Sequence, residues 1–250
     1  MSLHEHRFDG QRVVIIGASA GIGEAAARAF AAHGAAVTIT GRSKERLDQA
    51  AQRIGYPVLA AELDATSRGA LDAFFATTET IDHLVLSASP GAVGAGPIAG
   101  LDEAAFRQAF DGKVLAHVKS IQAALPRLRA DGSVTMVTAA SARAAFAGTA
   151  GLAAANGALE AMVAPLAVEL APLRVNAVSP GVIDTHWWNA MPEDQRRGYF
   201  DSVAAVTPVR RVGRPDDVAE AIVYLAGAGF VTGTVLECTG GSNLTAAALA

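Results

Sequence analysis

Seven residues, Gly17-Ala18-Ser19-Ala20-Gly21-Ile22-Gly23, separate the apolar run Val13–Ile16 from the helix-forming Glu24-Ala25-Ala26-Ala27-Arg28. Glycine serves three purposes at such a turn: it permits the tight bend, lets backbone N–H groups approach a pyrophosphate, and allows close helix–strand packing. A helix opening there presents unpaired N–H donors and a partial positive charge. Gly17, Ser19, Gly21, Ile22 and Gly23 are therefore candidate phosphate contacts. In a chain with 25 glycines the spacing alone is a weak signal, and its place after the first strand gives it weight.

The elements that must position this loop are legible as alternating patterns. Strand-like runs are Val13–Ile16, Ala36–Thr40, Val58–Leu63, Leu84–Ser87, Val134–Thr138, Val175–Ser179 and Thr234–Cys238. Helical patterns fall at Gly21–His33, Lys44–Ile54, Arg68–Thr78, Glu103–Leu128, Leu152–Leu170 and Asp216–Ala226. Apolar strands separated by helices imply parallel pairing through right-handed crossovers. The spacing predicts one α/β domain over residues 1–250, a doubly wound (Rossmann-type) seven-stranded parallel sheet with helices on both faces.

Composition narrows the class. The 250 residues are 51% hydrophobic and 18% charged, which excludes a disordered chain. Cys238 is the one cysteine, so no intramolecular disulfide framework exists. A net charge of −4 argues against nucleic-acid binding. Met1–Gly10 has no apolar signal core, and prolines, glycines or Asn156 interrupt the long uncharged stretches Leu84–Leu101 and Ala144–Leu159. A cytoplasmic protein without membrane contact is expected. His4 and His6 suit a metal site poorly, and no metal is expected.

The Gly-x-x-x-Gly-x-Gly spacing, Asp64 after the third strand, Arg174-Val175-Asn176-Ala177-Val178-Ser179-Pro180-Gly181 and the terminal Gly240-Gly241 together resemble the short-chain dehydrogenase/reductase family over nearly the whole chain. The resemblance implies a nicotinamide cofactor. It places Leu63 and Asp64 at the adenine, Ser87 and Ala88 along the dinucleotide, and Pro180, Gly181, Val182 and Thr185 at the nicotinamide. Residues 184–212 would form a lid over the substrate, and a homodimer or homotetramer would form through the fourth and fifth helices. The Ala-rich stretch 153–167 suits close helix approach, and the apolar tail Leu244–Ala250 is a second docking element.

At the end of the second strand, an acidic residue would bind a ribose 2′-hydroxyl, whereas an arginine accommodates a 2′-phosphate. Arg42 and Ser43 stand there, so NADP(H) is expected over NAD(H). In the lid, His186, Trp187, Trp188 and Tyr199 are candidate substrate contacts, suited to an apolar or aromatic ring. One tryptophan packing inward and the other into a subunit contact is the structural alternative.

The family's Ser, Tyr and Lys fall on Ala139, Leu152 and Asn156, and its Asn falls on Lys113. Lysine and asparagine thus look exchanged. A lysine against a pocket has a depressed pKa and can move a proton. Lys113, Asn156 and Ser141 form the expected catalytic set, with Ser87, His186, Tyr199 or water as other proton donors. Such a site predicts an NADP(H)-dependent oxidoreductase acting on a carbonyl or alcohol through a non-standard relay. The alternatives are a cofactor-binding protein without redox turnover and a lyase or isomerase in the same pocket.

Overall fold

The computed structural model describes residues 7–244. His4, His6 and all of the tail 244–250 except Leu244 lie outside the described residues.

Seven strands form one parallel sheet: β1 (Arg12–Ile16), β2 (Ala36–Gly41), β3 (Val58–Glu62), β4 (Ile81–Leu86), β5 (Leu128–Val137), β6 (Arg174–Pro180) and β7 (Val235–Cys238). Their spatial order is β3-β2-β1-β4-β5-β6-β7. The order reverses between β1 and β4, so a crevice opens at the carboxyl ends of those two strands, where ligands bind in such sheets.

Helices α1 (Gly21–Ala32), α2 (Lys44–Ile54) and α8 (Pro215–Gly227) cover one face of the sheet. The other carries α3 (Arg68–Thr77), α4 (Glu103–Ala109), α5 (Ala116–Ala124) and α6 (Ala150–Glu169). The inner strands are buried on both faces: β1 carries the apolar run Val13–Ile16, while β6 also buries Asn176 and Ser179. β3 is an edge strand, and its Leu59 is exposed rather than buried. By length and composition α6 could cross a bilayer, yet Ala155, Leu159 and Val163 bury one face of it in the core.

Two elements depart from the sequence pattern. The expected single helix Glu103–Leu128 is interrupted by a π-helical segment at Phe110–Leu115, between α4 and α5. Gly112 permits the close approach there: a Cβ on it would lie 2.9 Å from Pro90 Cβ. Such π-segments recur at functional sites. The lid also contains a helix that apolar periodicity does not reveal, α7 (Glu193–Val206), with Pro192 at its N-cap and Glu193 and Asp194 in its first turn. That start signal is visible in the sequence.

Candidate active site

The phosphate loop is built as its glycines require. Gly17 has φ +88°, and a Cβ there would fall 2.6 Å from the Ala88 backbone nitrogen, so β4's end and the loop touch only because Gly17 has no side chain. A Cβ on Gly23 would collide with the Gly17 carbonyl. Gly17 and Ala18 N–H both donate to the Thr40 carbonyl, at 3.1 and 2.9 Å, which fixes the loop to β2. Ala20 at the N-cap of α1 supplies no side-chain acceptor, so the first-turn N–H groups are left for a ligand. Behind the loop, Arg53 clasps Glu24 at 2.8 Å and donates to the Ser19 carbonyl at 3.4 Å. Ser19 lies against Gly41, where a Cβ would meet it at 3.3 Å.

At the adenine end, Arg42, Glu62, Leu63, Asp64, Ala70, Ala73 and Phe74 line an open cleft of about 720 Å³. Arg42 is exposed and makes no hydrogen bond or ion pair among the described residues. Ser43 Oγ caps α2 by accepting from Arg46 N at 3.3 Å, which leaves its own proton to donate. Asp64 Oδ1 accepts from Thr66 Oγ1 at 2.7 Å and Thr66 N at 2.9 Å. These bonds hold the Asp64 carboxyl below the usual carboxylate range. The helix α3 is capped by Ser67 rather than Asp64.

Toward the nicotinamide end, Ser87 and Ala88 follow β4, and Ser87 N donates to the Ile16 carbonyl at 2.8 Å. Pro180 ends β6, and a Cβ on Gly181 would lie 3.1 Å from Thr239 Cα. Val182 accepts from Gly213 N at 2.9 Å, closing the base of the lid. Thr185 Oγ1 accepts from Trp187 N at 3.3 Å.

Asn156 and Ser141 come together. Asn156 Nδ2 donates to Ser141 Oγ at 3.2 Å and to the Leu152 carbonyl at 2.9 Å. Asn156 is 5% exposed, and its Oδ1 is buried with no hydrogen-bond partner among the described residues. An orphaned buried acceptor is costly and calls for a donor such as a ribose hydroxyl. Because Ser141 Oγ accepts from Asn156, its proton points elsewhere and can be donated. Ala139 ends the extended segment after β5, and Leu152 lies in the first turn of α6; neither side chain can exchange a proton.

Lys113 sits in the π-segment, and its amine has no hydrogen bond or ion pair among the described residues. Burial pushes its amine down to about 8. Its charge acts on His117, one turn on, whose imidazole is pushed down to about 3, chiefly by burial. His117 Nε2 donates to the Ala88 carbonyl at 3.2 Å, and its Nδ1 has no partner. The structure therefore brings Ser141 and Asn156 into contact but does not bond either to Lys113.

Sequence patterns missed the support of this site. Glu160, on α6, accepts from Thr138 Oγ1 at 2.9 Å and from Arg143 Nε at 2.8 Å, and Arg143 also reaches Glu237 at 2.9 Å. This network anchors the turn Ala140–Ala142 that carries Ser141. Its members are far apart in sequence, so no local spacing announces it.

In the lid, Trp188 Nε1 donates to the Ile183 carbonyl at 2.9 Å, and its ring packs on Trp187, Tyr199 and Phe200 at 4.4, 5.0 and 5.8 Å between centroids. Trp188 thus holds the lid together, while Trp187 is 36% exposed. Burial raises the Tyr199 phenol, keeping it protonated. His186 stands over Gly21, where a Cβ would lie 3.4 Å from its Cε1.

The fold and crevice define a dinucleotide-binding oxidoreductase of the doubly wound class. A family model described as enoyl-(acyl carrier protein) reductase matches residues 17–243. A cis-4-hydroxycyclohexanecarboxylate dehydrogenase of Sinomonas cyclohexanicum is 34% identical over 91% of this chain and 94% of its own. A short-chain dehydrogenase/reductase of Stachybotrys chlorohalonatus is 32% identical, over 94% and 98% respectively. Among solved structures, a Brucella melitensis short-chain dehydrogenase superposes with TM-score 0.86, 32% identity, and coverage of 95% of this chain and 98% of that one. A small-chain dehydrogenase in complex with NADPH gives TM-score 0.81 at 28% identity, covering 94% and 100%. The chain belongs to the short-chain dehydrogenase/reductase family.

Proposed function

We propose that the protein is an NADP(H)-dependent reductase or dehydrogenase of a small apolar or ring-shaped carbonyl/alcohol pair, working through a rearranged proton relay. The observation that carries this reading is the Asn156–Ser141 hydrogen bond beside an unpartnered Asn156 Oδ1.

The residues present fit a dinucleotide. Free N–H groups at α1, the orphaned Asn156 acceptor and the unpaired Arg42 match diphosphate, ribose and 2′-phosphate chemistry in turn. When bound, the nicotinamide supplies the hydride. Asn156 orients Ser141, whose hydroxyl donates to the substrate oxygen and stabilises the negative charge that develops there. Lys113, as an ammonium held near neutrality, supplies the net proton through water. In reduction, the carbonyl gains hydride and one proton, and the alcohol leaves. The reading takes Ala139 and Leu152 as the positions at which the family's usual hydroxyl and phenol are replaced.

The dehydrogenase of a hydroxycyclohexane carboxylate among the relatives supports a ring-bearing substrate. Trp187 and the aromatic lid fit the same class. A homo-oligomer in the cytoplasm completes the proposal. Its support is the outer face of α6, where Ala154, Ala161 and Ala164 are exposed. The test of function is NADPH consumption over a panel of cyclic and aromatic ketones. Turnover supports the reading, and cofactor binding without any turnover across the panel would reassign the protein to a non-redox role.

A further inference from the structure

Gly21 opens α1 with φ +61°, and the ring of His186 lies over it. A Cβ at Gly21 would be 3.4 Å from His186 Cε1 and 3.5 Å from Nδ1, with Thr185 Cγ2 at 3.6 Å. The lid turn His186–Trp188 therefore touches the phosphate loop itself. Neither ring nitrogen of His186 has a hydrogen-bond partner among the described residues.

We infer that His186, carried by the segment that follows β6, is a diphosphate-binding residue of the cofactor site. The argument is geometric. The loop's first-turn N–H groups are left for a diphosphate, and the imidazole over Gly21 stands next to them. Trp188, bonded to the Ile183 carbonyl and packed on Tyr199 and Phe200, ties the position of His186 to that of α7.

Charge adds a pH signature. Two charged groups act on the ring: Arg46 of α2 and Glu24 of α1, the latter clasped by Arg53 of α2. Burial first, then Arg46, lowers the His186 pKa in the protein. A guanidinium keeps its charge throughout, so Arg46 contributes a constant field. A diphosphate against the ring favours imidazolium, so its pKa rises on binding. Affinity gained this way is complete below the ligand-free value and is lost as pH rises through the complex's value.

The inference rests on the cofactor reading, and one experiment separates their failures. Dissociation constants for NADH and NADPH are measured by titration calorimetry from about pH 5.5 to 8.5, the range in which histidine titrates. NADH has no 2′-phosphate, so its slope isolates the diphosphate. The wild type should bind NADH more tightly as pH falls. His186→Ala should lose that slope and bind about ten-fold more weakly at the acid end, the size of one charge-assisted hydrogen bond. His186→Gln keeps a neutral donor, so it should show intermediate affinity and no slope. Equal constants and parallel slopes for the wild type and His186→Ala would overturn the role of His186 alone. A wild type that binds neither dinucleotide would overturn the cofactor reading and this inference with it.

Discussion

Asn156 Nδ2 donates to Ser141 Oγ at 3.2 Å, a bond between α6 and the turn after β5, while Asn156 Oδ1 stays buried with no partner among the described residues. One side chain thereby does two jobs: it orients a hydroxyl and presents an acceptor. Replacing it with leucine removes both at similar volume. Asn156→Leu should weaken NADPH binding about three- to ten-fold, the range for one neutral hydrogen bond, while Ser141 loses its orientation. Titration calorimetry and single-turnover rates read the two effects separately. Unchanged affinity would remove the acceptor role.

Arg42 stands at the adenine end, exposed and without a hydrogen bond or ion pair among the described residues, and the proposed 2′-phosphate contact falls on it. Arg42→Ala should raise the NADPH dissociation constant by about ten-fold or more, because a charged hydrogen bond is worth roughly 1.5–3 kcal/mol. NADH affinity should not change. Equal losses for both dinucleotides would point to a general electrostatic effect and away from a 2′-phosphate contact.

The Lys113 amine, lowered by burial to about 8, gives the reaction a pH limb. If its ammonium supplies the proton in reduction, kcat is level below that value and falls as pH rises through it. Lys113→Met should abolish this limb and lower kcat by about 10²-fold, the lower range for a positioned acid. A variant that keeps the limb would assign it to another group.

Stability should fall on mild acidification. Burial lowers His83 to about 4 and His117 to about 3. Both are below the unfolded value of about 6.5, so the unfolded chain binds more protons in this range. Stability is therefore full above about pH 6.5 and declines as pH falls toward the folded values. His83 is held by Ser133 Oγ and Gln11 Oε1, both at 2.8 Å, so His83→Gln should flatten the decline rather than unfold the protein. Thermal denaturation between about pH 5 and 7 checks the slope, and a slope unchanged in the variant refutes the assignment.

The sheet and the phosphate loop were legible because their signals are local. Val13–Ile16 and Leu84–Leu86 are continuous apolar runs, and Gly17, Gly21 and Gly23 stand at positions where a side chain would meet backbone or a lid residue. The π-segment was not legible, because Phe110, Val114 and His117 fit an ordinary helix period and Gly112 reveals its need only once Pro90 is beside it. The Ser141–Asn156 contact joins residues fifteen apart across a turn, and the Arg143–Glu237 pair spans ninety-four. The proximity of His186 to Gly21 was not legible for the same reason: the two are far apart in sequence, and only the path of the chain after β6 brings them together.

The most direct test is the single-turnover rate of NADPH oxidation, with a ketone the wild type reduces, compared between wild type and Ser141→Ala at saturating NADPH. Loss of the donating hydroxyl should slow hydride transfer by about 10²-fold, as removal of one donor to a developing oxyanion does, with NADPH affinity unchanged. Equal rates in the two proteins would contradict the account.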